Sequence, residues 1–245
     1  MLATIIVRTR NEGEKIRRLL DSIFSQKVNF KFEVLLIDTE SKDNTLDIVS
    51  EYPVRVINIL QKDFTYPKSC NIGVNSARGQ IVIFISGHAY PVNELWLQSL
   101  IDGFEDEKII AVTGPLYVCP EHEYDPFLMF YNNYNRINND ISLTDIELTN
   151  VNAAYKKNIL LKIPFDEKIP WYSEEKIWEK KIFQIHPELK IIKNNKSKVY
   201  HSHFTDSNSL WVSSYKAGKA NGYSISKKIG LFSIIKKVII NSVRN

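Results

Sequence analysis

Four short stretches carry side chains able to do chemistry. In FISGHAYP, residues 84–91, an apolar run ends in Ser86-Gly87-His88. An imidazole there can donate a hydrogen bond to a phosphate or a sugar, more strongly when protonated, or it can ligate a transition-metal ion. The plainer alternative is a histidine that only ends a strand. In PFDEKIPWYSEEKIW, residues 164–178, Glu174 and Glu175 are adjacent. Mutual repulsion raises the proton affinity of one of two such carboxylates, which suits a general base. Lys176, Lys180 and Lys181 nearby make an exposed charged helix the competing reading. In VYHSHF, residues 199–204, His201 and His203 alternate and would share one face of a strand, open to metal binding, hydrogen bonding or packing. Asp38 closes EVLLID, where a strand-end carboxylate can accept paired hydrogen bonds from a nucleobase edge or from ribose hydroxyls. Ser41 and Asp43 just after it fit helix capping.

The surrounding pattern predicts the elements that hold these groups. Residues 2–8 are a β-rich apolar run, and Ile16, Leu19, Leu20, Ile23 and Phe24 then recur at the spacing of one helical face. A second strand over 33–38 leads through the polar TESKDN into a helix containing Leu46, Ile48 and Val49. A third strand, 54–60, is followed by a loop and a short helix. The fourth, 80–86, is apolar throughout, as when both faces of a parallel sheet are covered. Strands alternating with helices imply an α/β fold with right-handed crossovers, whose ligands lie beyond the carboxyl ends of the strands. Residues 8–12, 38–43 and 86–90 all follow strands and should meet in one crevice. After Pro91, NELWLQSLIDGF reads as a helix and IIAVTGPLYV as a strand. No Gly/Ser linker or internal repeat appears, so the second half continues the same sheet.

The 245 residues are 44% apolar and 24% charged, which excludes disordered, collagenous and multi-span membrane classes. Cys70 and Cys119 are too few for a disulfide framework and fit a reducing compartment. Met1 leads directly into a strand pattern without a cleavage site, and no apolar stretch reaches the ~20 residues of a spanning helix. A cytoplasmic setting is expected. The net charge of +4 is unevenly placed, since every charged residue from Ser207 to Asn245 is Lys or Arg. Within that tail Ile229, Phe232, Ile235, Ile239 and Val243 fall at helical spacing. The tail suits a helix lying on an anionic membrane face or one packed on the body. Nucleic-acid binding is not expected, because the interleaved aromatic platform is missing.

Read together and in order, IIVRTRNEGEKIRRLLDSIFSQ, EVLLIDTESKDNT and NIGVNSARGQIVIFIS resemble the amino-terminal half of family 2 glycosyltransferases, inverting enzymes of the GT-A fold. The match runs over residues 4–91, with weaker correspondence to about residue 204. The resemblance implies a Rossmann-like, mostly parallel central sheet flanked by helices in a domain of residues 1–205, with a nucleotide-sugar half (1–91) and an acceptor and catalytic half (92–205), then a basic helical extension (206–245). It implies that Arg8, Thr9, Asn11 and Glu12 line the base and ribose end of a nucleotide-sugar pocket, that Asp38 binds base or ribose, and that Lys68 and Asn71 face the nucleotide. Glu175 takes the general-base position with Glu174 as its neighbour, Trp178 packs their helix, and NVNAAYKKN, with Asn152 and Ala153, corresponds to a small-residue segment near the sugar.

The family carries Asp-X-Asp, a divalent-metal motif, where this chain has Ser86-Gly87-His88. Loss of both carboxylates weakens Mg²⁺ binding, leaving a site in which His88 contacts the diphosphate, and His88 with His201 holds a Mn²⁺-like ion or none. The function implied is transfer of a sugar from a nucleoside-diphosphate sugar to a hydroxyl of a carbohydrate or lipid-linked glycan (EC 2.4), in bacterial surface polysaccharide assembly, at the inner face of the cytoplasmic membrane. The alternatives are a catalytically degenerate nucleotide-sugar-binding scaffold and a nucleotidyltransferase. RTRNEGE lacks the Gly-rich phosphate loop that the last would use.

Overall fold

The computed structural model describes residues 2–120, 148–169 and 174–202. His203 and the basic tail lie outside the described residues. Strand β1 (Ala3–Thr9) runs into helix α1 (Glu14–Phe24), then β2 (Phe32–Asp38), the short α2 (Thr45–Val49) and β3 (Val54–Asn58). Helix α3 (Tyr66–Ser76) leads to β4 (Ile81–Ser86), the two-residue β5 (Tyr90–Pro91), α4 (Trp96–Asp102), β6 (Ile109–Thr113) and β7 (Leu116–Tyr117). The later part holds β8 (Asn152–Lys156), α5 (Lys157–Lys162), α6 (Glu174–Ile185), β9 (Lys190–Lys193) and β10 (Val199–Tyr200).

Seven strands form the central sheet in the order β3-β2-β1-β4-β8-β6-β9. All neighbours are parallel except β8, which runs antiparallel to both β4 and β6. The mostly parallel α/β sheet expected from the sequence is therefore present. β1 is followed in sequence by its neighbour on one side, while β4 joins it on the other, so the strand order reverses between them. That reversal opens a crevice at their carboxyl ends.

Alternation along the strands feeds two apolar layers. Ile5, Val7, Ile83 and Ile85 face α1, α2 and α4, whereas Ile6, Val82 and Phe84 face α3, α5 and α6. Helix α1 buries Ile16, Leu19, Leu20 and Ile23, each contributing roughly 1.5–3 kcal/mol on full burial. Phe24 departs from the expected face: it is 36% exposed and stacks at the rim on Phe32 and Tyr52. The first turn of α1 has no side-chain cap of its own. Instead the Thr45 hydroxyl accepts the Glu12 and Gly13 N–H groups at 2.9 and 3.0 Å and donates to Asp43 at 2.6 Å. Asp43 thus serves the turn ahead of α2, as its position in the sequence indicated, and also ties that turn to α1. Among the described residues no helix is long and apolar enough to cross a membrane.

Candidate active site

The carboxyl ends of β1 and β4 open into a cavity of about 580 Å³, within the usual range for small-molecule sites. Register brings the two strand ends together, with Arg8 beside Ser86 and Thr9 beside Asp38. After β4 the chain turns tightly, Gly87 N–H donating to Arg8 O and Ala89 N–H to Ser86 O. Gly87 is required by close approach: a Cβ there would lie 2.9 Å from Thr9 Oγ1, 3.0 Å from Glu12 Cγ and 3.1 Å from Arg8 O.

That turn aims His88 at a second histidine. Strand β10 pairs antiparallel with β5, Tyr200 opposite Tyr90, so one further step sets His201 beside Ala89 and next to His88. The rings stack with centroids 4.8 Å apart, and the two Nε2 atoms are separated by 3.1 Å. His88 Nδ1 lies 2.9 Å from Glu12 Oε1. A carboxylate only accepts, so Nδ1 carries the proton and the Nε2 lone pair of His88 faces His201. Among the described residues no group of three or more His, Cys, Asp or Glu side chains is arranged to hold a metal.

On the same cavity, α6 begins with the two glutamates. Glu174 is 3% exposed, and its Oε1 accepts from Arg8 Nη1 at 3.2 Å and from Asn150 Nδ2 at 3.0 Å. The Cys70 thiol approaches the same oxygen at 3.7 Å. Burial opposes the Arg8 charge, but its acidic neighbours, Glu174 and Glu175 among them, more than offset it, and the guanidinium stays a firm cation. Burial and the charge of Glu174 together push the Glu175 carboxyl up, to about 8. Below the pair, Trp178 donates to Ile163 O at 2.7 Å and meets Tyr155 edge-on at 5.4 Å. Phe84, Tyr155 and Phe165 complete an aromatic floor that fixes where α6 starts.

Arg8, Thr9, Glu12, Ser86, His88, Glu174, Glu175 and His201 all line this one cavity. Several expected residues fall elsewhere. Arg8 lines the cavity, but its guanidinium is drawn to the carboxylates by the ion pair with Glu174. Asp38 is 1% exposed and both of its oxygens are taken by Ser41, which donates its N–H at 2.9 Å and its hydroxyl at 2.5 Å. Asp38 and Ser41 thus close one turn, and neither lines the cavity. Asn11, at φ 52°, accepts from Lys42 N–H and does not line the cavity. Neither does Lys68, whose helix start is capped by Thr65. Asn71 is buried, clamping the Phe165 backbone and Glu167. Asn152 is likewise buried, between Trp96 and Ser197 O. Sequence reasoning missed Arg10, Gln61, Phe64, Tyr66 and Asn150, which line the walls. For Gln61, Phe64 and Tyr66 the only signal is QKDFTY, aromatics in a polar loop after a strand, whereas Arg10 lies in RTRNEGE and Asn150 opens NVNAAYKKN.

Residues 4–163 match the family described as Glycosyl transferase family 2. An O-antigen chain rhamnosyltransferase of Salmonella anatum is 27% identical over 167 residues, 64% of this chain and 52% of that protein. A chondroitin synthase of Pasteurella multocida is 28% identical over 152 residues, 58% of this chain and 16% of that one. The chain therefore spans about half the length of the first relative and a smaller part of the second. Among solved structures, a mannosyltransferase of Pyrobaculum calidifontis in complex with GDP-Man and Mn²⁺ superposes with a TM-score of 0.70 at 18% identity, over 93% of this chain and 65% of that one. Glucosyl-3-phosphoglycerate synthase of Mycobacterium tuberculosis, in complex with Mn²⁺, UDP and phosphoglyceric acid, gives 0.65 at 16% identity, over 94% and 81%. These likenesses establish the GT-A fold. Because the family match takes in both strands that end at the cavity, the chain belongs to glycosyl transferase family 2.

Proposed function

We propose that the chain is the catalytic part of an inverting glycosyltransferase, moving a sugar from a nucleoside-diphosphate donor to a hydroxyl of a carbohydrate or lipid-linked glycan in bacterial surface polysaccharide assembly. The observation that carries this reading is one cavity lined both by Glu175 and by the Ser86–His88 turn. Inversion needs a base on the acceptor side and charge stabilisation on the leaving-group side, on opposite faces of the anomeric carbon. Glu175 takes the proton of the acceptor hydroxyl as its oxygen attacks. Thr9 and Ser86 bring hydroxyls to the side on which the diphosphate departs, and His88, whose Nδ1 proton goes to Glu12, would act there through a bound ion rather than as a hydrogen-bond donor. Asp38 contributes by fixing Ser41 and with it the turn after β2.

The histidine pair fits a divalent ion of the Mn²⁺ kind. Nitrogens 3.1 Å apart match neighbouring ligands on one ion with metal–imidazole bonds of about 2.1 Å. Glu12 on the far nitrogen of His88 is the carboxylate support that metal-bound imidazoles receive. Such an ion, held by His88 and His201, would supply positive charge to the diphosphate. The turn offers Mg²⁺ no carboxylate.

The test is titration calorimetry with UDP-, dTDP-, GDP- and CMP-linked sugars, each in EDTA and in Mn²⁺, followed by turnover measured as nucleoside-diphosphate release. One nucleotide class should bind. Glu175→Gln should keep that binding while turnover falls by roughly 10²–10⁴; normal turnover would remove the base role. No binding under any condition would favour the scaffold reading.

A further inference from the structure

The reaction needs one base, yet the cavity wall holds a second carboxylate bound into a charge pair. Glu174 is fixed from three directions, by Arg8 from β1, Asn150 from the segment before β8 and Cys70 from α3. Asn150 is itself locked, its Oδ1 accepting from the Tyr155 hydroxyl at 2.7 Å and its carbonyl from Arg8 Nη2 at 3.4 Å. Arg8 is 13% exposed and Glu174 3%, so little water screens the pair. With its Oε1 held by these donors, Glu174 is poorly placed to shuttle a proton. A buried ion pair is also a poor way to anchor a helix, since an apolar contact of similar volume is often as stable. What a fixed charge pair does well is act on the proton equilibrium of a neighbour.

We propose that Arg8 and Glu174 are positioning residues that set the pH at which Glu175 becomes a competent base, Glu174 favouring the proton and Arg8 opposing it. This rests on Glu175 being the base. Burial raises Glu175 most, and among the charged groups facing it the pair acts most strongly. Burial pushes the Cys70 thiol and the Tyr155 phenol upward, so both stay neutral. Tyr66 lies beyond Arg8, its ring 5.5 Å from the guanidinium carbon. Lys176 and Glu179, on the same helix, carry opposite charges, and Lys176 acts less strongly on Glu175 than either Glu174 or Arg8.

The experiment is a direct titration of the carboxyl by ¹³C NMR on the full chain, glutamate-labelled at Cδ, with the Glu175 signal assigned by its loss in Glu175→Gln. Glu174→Gln removes the repelling charge and should lower the Glu175 midpoint by roughly one pH unit, while Arg8→Gln should raise it by a similar amount. The double variant should return close to the parent value. Two single variants that leave the midpoint unmoved, or move it in the same direction, overturn the proposal and make the pair structural. If Arg8→Gln does not fold by thermal melting, Arg8→Lys takes its place: retained charge predicts a midpoint near the parent, and a shift as large as one unit counts against a charge effect. Opposite shifts together with normal turnover in Glu175→Gln would leave the charge pair standing and remove the base reading.

Discussion

His88 shows how one side chain can be given a task by its neighbours. Its Nδ1 is held by Glu12 at 2.9 Å and its Nε2 meets His201, so the ring has little freedom to rotate and one lone pair is directed. In the GT-A arrangement that the sequence resembles, this corner carries carboxylates suited to hard cations. Two imidazoles instead favour Mn²⁺-like ions over Mg²⁺. His88→Ala is therefore expected to abolish most of the Mn²⁺-dependent gain in donor affinity, and Glu12→Gln to reduce it by about tenfold as lost support for the ring. Calorimetry in Mn²⁺, Mg²⁺ and EDTA checks this. Equal rescue by Mg²⁺, with His88→Ala unchanged, would show that the histidines do not hold the ion.

The elements explain which features could be read before any coordinates. Strands β1, β2 and β4 and the buried face of α1 were written plainly in apolar spacing, because hydrophobic burial depends on residue type and period alone. Phe24 kept the period and still ended at the rim, since α1 finishes there and two aromatics offered an outside stack. The antiparallel direction of β8 carried no signal, as both faces of any central strand here are apolar. Asn150 and Tyr66 escaped notice, and so did the pairing of Arg8 with Glu174, because these roles come from contacts across as many as 166 residues of sequence, which no local pattern encodes. Gly87 is a further case: only its surroundings reveal why it is glycine. Gly87→Ala should cost about 1–3 kcal/mol by forcing the turn off Thr9 and Glu12, read as a lower urea midpoint with unchanged slope. An unaltered midpoint would mean that the turn relaxes freely.

Across the whole molecule the buried Glu175 carboxyl sets a pH dependence of stability. Glu175 has a folded-state pKa raised from 4.5 to about 8, so between those values the folded chain binds more protons than the unfolded one. Stability must then fall as pH rises through that window. Glu33 acts in the opposite sense: burial would raise it, but hydrogen bonds from Arg78 N–H, Thr4 and Arg55 hold it below its usual value, and its contribution is lost as pH falls. Glu175→Gln is accordingly expected to flatten the decline in melting temperature between pH 5 and pH 8 and to melt a few degrees higher than the parent at pH 8. A parallel decline in the variant would place the titrating group elsewhere.

The aromatic floor of Phe84, Tyr155, Phe165 and Trp178 joins two obligations in the same atoms. These rings belong to the buried layer behind the sheet, and they also fix the start of the helix that presents the glutamates. Sequence drift that repacks that layer must therefore move Glu174 and Glu175 with it, whereas Arg10 and Gln61, on the exposed wall and held to each other by one hydrogen bond, can vary with little cost to folding. Over evolutionary time such a molecule can change its choice of substrate by rewriting its walls, and can hardly change its chemistry without rebuilding its floor.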